Sequence, residues 1–175
     1  MEEQLHNQTD SQGRKQGYWE ETDKYDFIWK GHYVDGLRQG LWKNYYEDGV
    51  TLESEGHYLN GKLHGLWKGY YEDGTLGAEF HYLNGGKHGI WKWYHSNGTL
   101  DAEVHYLDDM QHGPEKRYRR DGTLWQERHY KNDKLHGLRN EYHEDGTLES
   151  CTLYNMGEEL CSSPLLFLPS WLNLL

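Results

Sequence analysis

A period of 24 residues governs this chain. Its clearest copy, residues 61–84, reads GKLHGLWKGYYEDGTLGAEFHYLN, and most of the remaining sequence repeats it. The copy before it, 36–60, is one residue longer through an insertion at Val50. The copies after it are 85–108, 109–132 and 133–156. A weaker first copy, 13–35, keeps Gly13, Gly17, Trp19 and His32-Tyr33. Self-similarity at such a period constrains the fold more than any local signal, because one short unit cannot bury its apolar face without stacking on its neighbours.

Each copy reads as a hairpin. Asp48-Gly49, Asp73-Gly74, Asn97-Gly98, Asp121-Gly122 and Asp145-Gly146 mark tight turns, on the expectation that both central residues take positive φ. The first copy has Thr22-Asp23-Lys24-Tyr25-Asp26 instead, which predicts a looser turn. After the turn, Leu76, Ala78, Phe80 and Tyr82 alternate with Gly77, Glu79 and His81, the mark of a half-buried antiparallel strand with an acid-and-histidine wet face. Before it comes Leu66-Trp67-Lys68-Gly69-Tyr70-Tyr71. Strict alternation puts Trp67 and Tyr70 on opposite faces, whereas a bulge near Gly69 brings them together. The glycines at 40, 65, 89, 113 and 137 read as bends between hairpins.

The expected fold is therefore all-β: an elongated array of about six antiparallel hairpins forming one twisted, solenoid-like sheet. Each hairpin adds about 9 to 10 Å from the strand spacing, for a length on the order of 50 Å. Residues 1–12 are polar and aperiodic and are expected to be disordered; 13–156 form one repeat domain. Residues 157–175 are an apolar tail carrying Leu165, Leu166, Phe167, Leu168, Trp171, Leu172, Leu174 and Leu175. It is read as a cap on the last hairpin, with a docking segment or a membrane-surface contact as alternatives. In the last two copies Pro114 takes the Leu or Ile position, and Glu115 and Arg139 stand where Trp recurs.

Composition narrows the partners. A net charge of −11 repels phosphate backbones and anionic headgroups, which argues against nucleic acid. The 15 Tyr and 8 Trp supply the core that a strongly polar average otherwise lacks. Cys151 and Cys161 make no disulfide framework. No segment approaches the roughly 20 apolar residues of a membrane-spanning helix, and no charged-then-apolar leader is seen, so the expected location is cytoplasmic.

The spacing G-x-x-x-G-x-W-x-x-Y, D-G-x-L, Y-x-N-G resembles the MORN repeat, and most closely its variant in YwqK-type bacterial antitoxin-like proteins. Gly61, Gly65, Trp67, Tyr70, Asp73, Gly74, Leu76, Tyr82 and Asn84 carry the match. The resemblance implies rows of β-hairpins that act as scaffolds, dimerise or sit near membranes. For the variant it implies an antitoxin-like role, a fold-level analogy that no single residue carries.

Candidate chemistry is sparse. His57, His81, His105 and His129 form one periodic set, and His64, His88, His112 and His136 another. Equivalent positions about 9 to 10 Å apart cannot share a zinc ion, whose bonds are near 2 Å. No metal, cofactor or catalytic residue is expected. The carboxylate pairs Glu53/Glu55 and Asp101/Glu103 recur with the period and read as a solvated strip, and Cys151 has no oriented base beside it. The run Lys116-Arg117-Tyr118-Arg119-Arg120 reads either as a contact for an anionic partner or lipid or, equally, as an edge protected by charges.

The aromatic rows remain. Trp42, Tyr45, Trp67, Tyr70, Trp91 and Tyr94 are the candidate partner-binding residues, lining an aromatic groove, because an open sheet cannot bury both faces and Trp and Tyr are favoured anchors. The expected function is a non-catalytic protein–protein interaction or scaffolding module. The alternatives are an antitoxin masking a basic toxin and a peripheral membrane protein docking through its C-terminal tail. Self-association is a further partner class.

Overall fold

The computed structural model describes residues 6–163. These hold strands and turns, with no helix among the described residues. The chain divides into two compact halves, Met1–His88 and Gly89–Leu175.

The N-terminal half holds β1 (Gln8–Thr9), β2 (Lys15–Thr22), β3 (Ile28–Val34), β4 (Leu37–Tyr45), β5 (Leu52–Leu59), β6 (Lys62–Tyr70), β7 (Leu76–Leu83) and the start of β8 (Gly86–Tyr94). The C-terminal half continues β8 and adds β9 (Leu100–Leu107), β10 (Met110–Tyr118), β11 (Leu124–Lys131), β12 (Lys134–Leu135), β13 (Gly137–Tyr142), β14 (Leu148–Asn155) and β15 (Glu158–Ser163). Within each half, successive strands pair antiparallel in chain order, with β12 a short side pairing on β11. The all-β hairpin array read from the period is the fold.

Two kinds of turn alternate, and their chemistry differs from expectation. In Asp73-Gly74 only the glycine has positive φ, at 82°. Gly74 N–H donates to the Tyr71 carbonyl and Tyr71 N–H to the Thr75 carbonyl, each at 2.9 Å, so the loop is a type I turn closed by a left-handed glycine. Asp73 contributes its carboxylate, which accepts the Thr75 N–H at 2.8 Å. The two-residue turns with both φ positive are at the copy boundaries, as at Asn60 (50°) and Gly61 (78°). The first copy's turn is not looser. Asp26, at φ 65°, replaces the glycine, and Asp23 N–H reaches the Phe27 carbonyl at 3.0 Å in the same pattern. The loop holding Val50 absorbs the insertion by leaving that side chain 80% exposed.

The glycines expected between hairpins lie within strands. At Gly65, φ 83°, the β5–β6 register skips between Gly56 and Tyr58, which makes a bulge. Pro114 falls in the matching skip of β10 against β9, between Gln111 and Glu115, where its missing N–H costs no ladder bond.

Both ends of the hairpins are stitched to the neighbouring copy. Gly61 N–H donates to the Arg38 carbonyl at 2.9 Å and Gly157 N–H to Leu135 at 2.8 Å. At the other end, the residue after the strand-end Tyr reaches the carbonyl of the next copy's Tyr. Tyr46 Oη contacts Tyr70 O at 3.5 Å, His95 Nε2 contacts Tyr118 O at 3.3 Å, and Arg119 Nη2 donates to Tyr142 O at 2.6 Å. Three different side chains thus serve one position.

Outside the periodic region, two segments are ordered. Gln8 and Thr9 pair with Gln16 and Lys15, where residues 1–12 were expected to be disordered. Glu158–Ser163 pairs with β14 as one more strand, where the sequence placed the start of an apolar tail. The rest of the tail, 164–175, lies outside the described residues, as do the cap, docking and membrane readings that rest on it.

Candidate functional site

Alternation gives each strand two faces, and the register decides what they carry. One face is core. In the N-terminal half, Trp42 has no exposed surface; its ring meets Tyr33 edge-on at 5.0 Å, the Arg38 guanidinium lies 4.2 Å from its centroid, and its Nε1 donates to His32 O at 3.0 Å. Trp67 stacks on Phe80 at 5.2 Å and covers Gly56 and Gly69. Glu21 is held on this face by Lys15, Arg38 and Tyr33. Burial alone raises its carboxyl, but these partners outweigh it and hold the group below the usual range.

In the C-terminal half the equivalent face carries Trp91, 5% exposed, beside Trp93 and Tyr106. It then turns polar where the tryptophans stop. Glu115, 2% exposed, accepts Arg117 Nε at 2.6 Å with Arg128 at 4.0 Å. Farther on, Gln126 and Ser150 donate to Glu141, at 3.0 and 3.1 Å, and Arg139 pairs with the same carboxylate. A buried charge persists only when paired in this way.

The opposite face is the open one. Trp67 pairs with Gly56, and Lys68 with Glu55, so Lys68 and Tyr70 project away from the tryptophan. Tyr70 Oη donates to Glu55 Oε1 at 3.0 Å; burial, then this carboxylate, pushes the phenol up to about 12. Tyr45 takes the same side, with Lys30 Nζ 5.0 Å from its ring centroid. Tyr94 follows Lys92, which pairs with Glu103. The six aromatic candidates therefore do not line one groove. Trp42, Trp67 and Trp91 belong to the core face, and Tyr45, Tyr70 and Tyr94 to the open face. The bulge does not reunite them, because the extra residue between the pairs Gly69–Ala78 and Tyr70–Leu76 is Gly77 on β7, and β6 keeps its alternation.

On the open face of each half the glutamates of the solvated strip expected from the sequence stand beside a row of lysines that the sequence reading missed. In the N-terminal half, Lys30 lies 3.4 Å from Glu20, Lys43 3.7 Å from Glu55, and Lys68 3.8 Å from Glu79. In the C-terminal half, Lys92 and Glu103, and Lys116 and Glu127, each approach to 3.7 Å. Each such exposed pair contributes only roughly 0.2–1 kcal/mol, so the row matters more as a surface pattern than as a staple. The signal was present in the sequence as the Trp-Lys dipeptide at 42–43, 67–68 and 91–92.

Two depressions open on this face of the N-terminal half. One, of about 420 Å3, is lined by Tyr18, Lys30, His32, Leu41, Lys43 and Tyr45. The other, of about 260 Å3, is lined by Leu41, Glu55, His57, Leu66 and Lys68. Leu41, 42% exposed, is common to both.

The remaining candidates have structural roles or none. The first histidine set lies on the open face, with His57 opposite Leu41 and His81 opposite Leu66. Among the described residues no group of three or more His, Cys, Asp or Glu is placed to hold a metal ion. Burial pushes the Cys151 thiol up, the reverse of an activated nucleophile. The basic run is divided: Arg119 ties neighbouring turns, Arg117 serves Glu115, and Lys116 joins the charged row.

The MORN repeat variant family matches residues 38–60, 63–84, 87–108, 111–132 and 135–156, well over half the chain. The chain belongs to this family. The matches 38–60, 63–84, 111–132 and 135–156 each begin at the carbonyl that anchors the next boundary turn and end in that turn, so the MORN unit here is one strand, one Asp-Gly or Asn-Gly loop and the strand that returns. The first copy, 13–35, lies outside the matched segments yet folds in the same pattern. MORN repeats are in general non-enzymatic modules often involved in interactions. No curated protein matches the chain. No helix among the described residues is long and apolar enough to cross a membrane.

Proposed function

We propose that this chain is a non-catalytic interaction module that holds a protein partner against the charged, open face of its MORN hairpins. Leu41, Tyr45, Leu66 and Tyr70 are the contacts. The observation that carries this is Leu41. It is 42% exposed at the shared wall of two depressions that also carry Lys30, Lys43, Glu55 and Lys68. An apolar wall rimmed by Lys, Glu and Tyr is the composition of a protein contact surface, with an apolar centre and a polar rim. The tryptophans support the contact from beneath, as core.

The net charge of −11 favours encounter with a basic partner through the long-range field. The resemblance to YwqK-type antitoxin-like repeats fits the same surface, since masking a basic toxin is one form of partner binding.

The test is affinity capture from native lysate with wild type and the Leu41→Ser/Leu66→Ser variant, with circular-dichroism melts of both. The expected result is a partner retained by wild type and lost from a variant that melts normally. Equal capture by both overturns the assignment of this face.

A further inference from the structure

The charged row has one break in its alternation. Where later copies place Glu55, Glu79, Glu103 and Glu127, the first copy places Lys30. The register sets Lys30 directly opposite Lys43. Like charges facing each other on neighbouring strands are unfavourable, and here the first copy has exchanged its pair, with Glu20 in the lysine place opposite Lys30 and the two lysines left side by side. Places where a repeat breaks its own rule at a cost to stability are where function is expected.

The surroundings say what the two lysines would take. They line the larger depression of about 420 Å3, whose wall includes Tyr18, His32, Leu41 and Tyr45 and no acidic side chain. In a chain of net charge −11 this is an acid-free pocket. Glu20 and Glu55 approach the lysines at 3.4 and 3.7 Å but are not among the lining residues. Lys30 also lies 5.0 Å from the Tyr45 ring centroid, which positions its ammonium at the pocket.

We infer that the Lys30/Lys43 pocket is a carboxylate-binding subsite, which receives an Asp or Glu side chain of the partner beside an apolar residue packed on Leu41 and Tyr45. A single negative charge fits better than a phosphate. Glu20 and Glu55 already offset part of the lysine charge, and there is no arginine fork to hold a dianion. The inference rests on the open face being the contact surface. It adds the chemistry of one contact: the long-range field draws a basic partner, and this pocket fixes one of that partner's acids.

The test uses two capped peptides, acetyl-Ser-Leu-Glu-Leu-Ser-amide and its Gln counterpart, titrated into full-length protein and followed by NMR shifts. Wild type is expected to bind the Glu peptide about tenfold more tightly, the scale of one charge-assisted contact. In Lys30→Glu, which reverses the charge at one end of the pocket and sets an acid opposite Glu20, the preference is expected to vanish and the melting temperature to fall. If that variant fails to fold, Lys43→Gln carries the same expectation. Lys68→Gln, in the same row but outside this pocket, is expected to keep the full preference. No Glu preference in wild type, or an undiminished one in Lys30→Glu, overturns the subsite. So does displacement of the peptide by an equal concentration of inorganic phosphate, which would make it a phosphate site. Loss of lysate capture in Leu41→Ser/Leu66→Ser without any peptide preference would sink the subsite and leave the contact face standing.

Discussion

The indole of Trp67 lies over Gly56 of the neighbouring strand so closely that a methyl group there would meet its Cδ1 at 2.7 Å. Glycine at this place is a packing requirement, set by the ring and not by the backbone. Gly56→Ala is expected to destabilise the fold by about 1–3 kcal/mol, the usual cost of overpacking, measured by urea denaturation. An unchanged midpoint would mean that the ring is not seated on that strand.

The division of the aromatics between faces predicts opposite phenotypes. Trp42→Ala removes a fully buried ring and is expected to cost about 3–5 kcal/mol. Tyr45→Ala, on the open face, is expected to cost about 1 kcal/mol or less while weakening partner capture. Chemical denaturation of the two variants, beside the capture assay, separates core from contact.

Arg119 donates to carbonyl oxygens at Leu124, Tyr142 and His143, joining two consecutive loops. Arg119→Ala is expected to lose about 1.5–3 kcal/mol, as for hydrogen bonds to a charged group. Arg120→Ala, exposed beside it, should stay within about 0.5 kcal/mol. Thermal melts that fail to distinguish them would refute the turn-to-turn spine.

Glu21 gives the fold an acid-sensitive contact. Its folded carboxyl is held below the ordinary value of 4.5 despite the opposing effect of burial, because Lys15, Arg38 and Tyr33 bond to it. A depressed carboxylate contributes stability that is fully present above the unfolded value and is lost as pH falls through the folded one. Wild type is therefore expected to lose its advantage over Glu21→Gln as pH falls below 4.5, and the two stability curves should converge in acid. A gap independent of pH would mean that the charge of Glu21 contributes nothing.

At Gly65 the constraint is the backbone. It sits at φ 83° with nothing within 4 Å of where a Cβ would be. Gly65→Ala is expected to cost about 1–2 kcal/mol from the left-handed conformation alone, and Gly65→Asn less, by equilibrium unfolding.

Much of this was legible in the chain. Leu76, Phe80 and Tyr82 announced a strand with one buried face, Asp73-Gly74 announced its turn, and the recurrence of both announced a hairpin array. The turn types were misread because Asp73 stabilises its loop through the carboxylate, which a dipeptide rule for φ ignores. Asn60-Gly61, read as a boundary, was the true two-residue turn.

The candidate site was legible only in part. Tyr45 and Tyr70 were named, but they were grouped with tryptophans that point the other way, and Lys30, Lys43 and Leu41 went unremarked. Local alternation tells how side chains are distributed along one strand. It does not tell which residue of the next strand stands opposite, because each left-handed glycine such as Gly65 shifts the register that the period alone suggests. The sequence by itself determined the six repeat hairpins and their order, since these rest on neighbours in the chain, but not the added strands Gln8–Thr9 and Glu158–Ser163. The tertiary structure decided that Trp67 covers Gly56, that Tyr70 meets Glu55 on the other face, and that Lys30 faces Lys43. Those pairings join residues 11 to 15 positions apart across bulged ladders, where register and not propensity selects the partner.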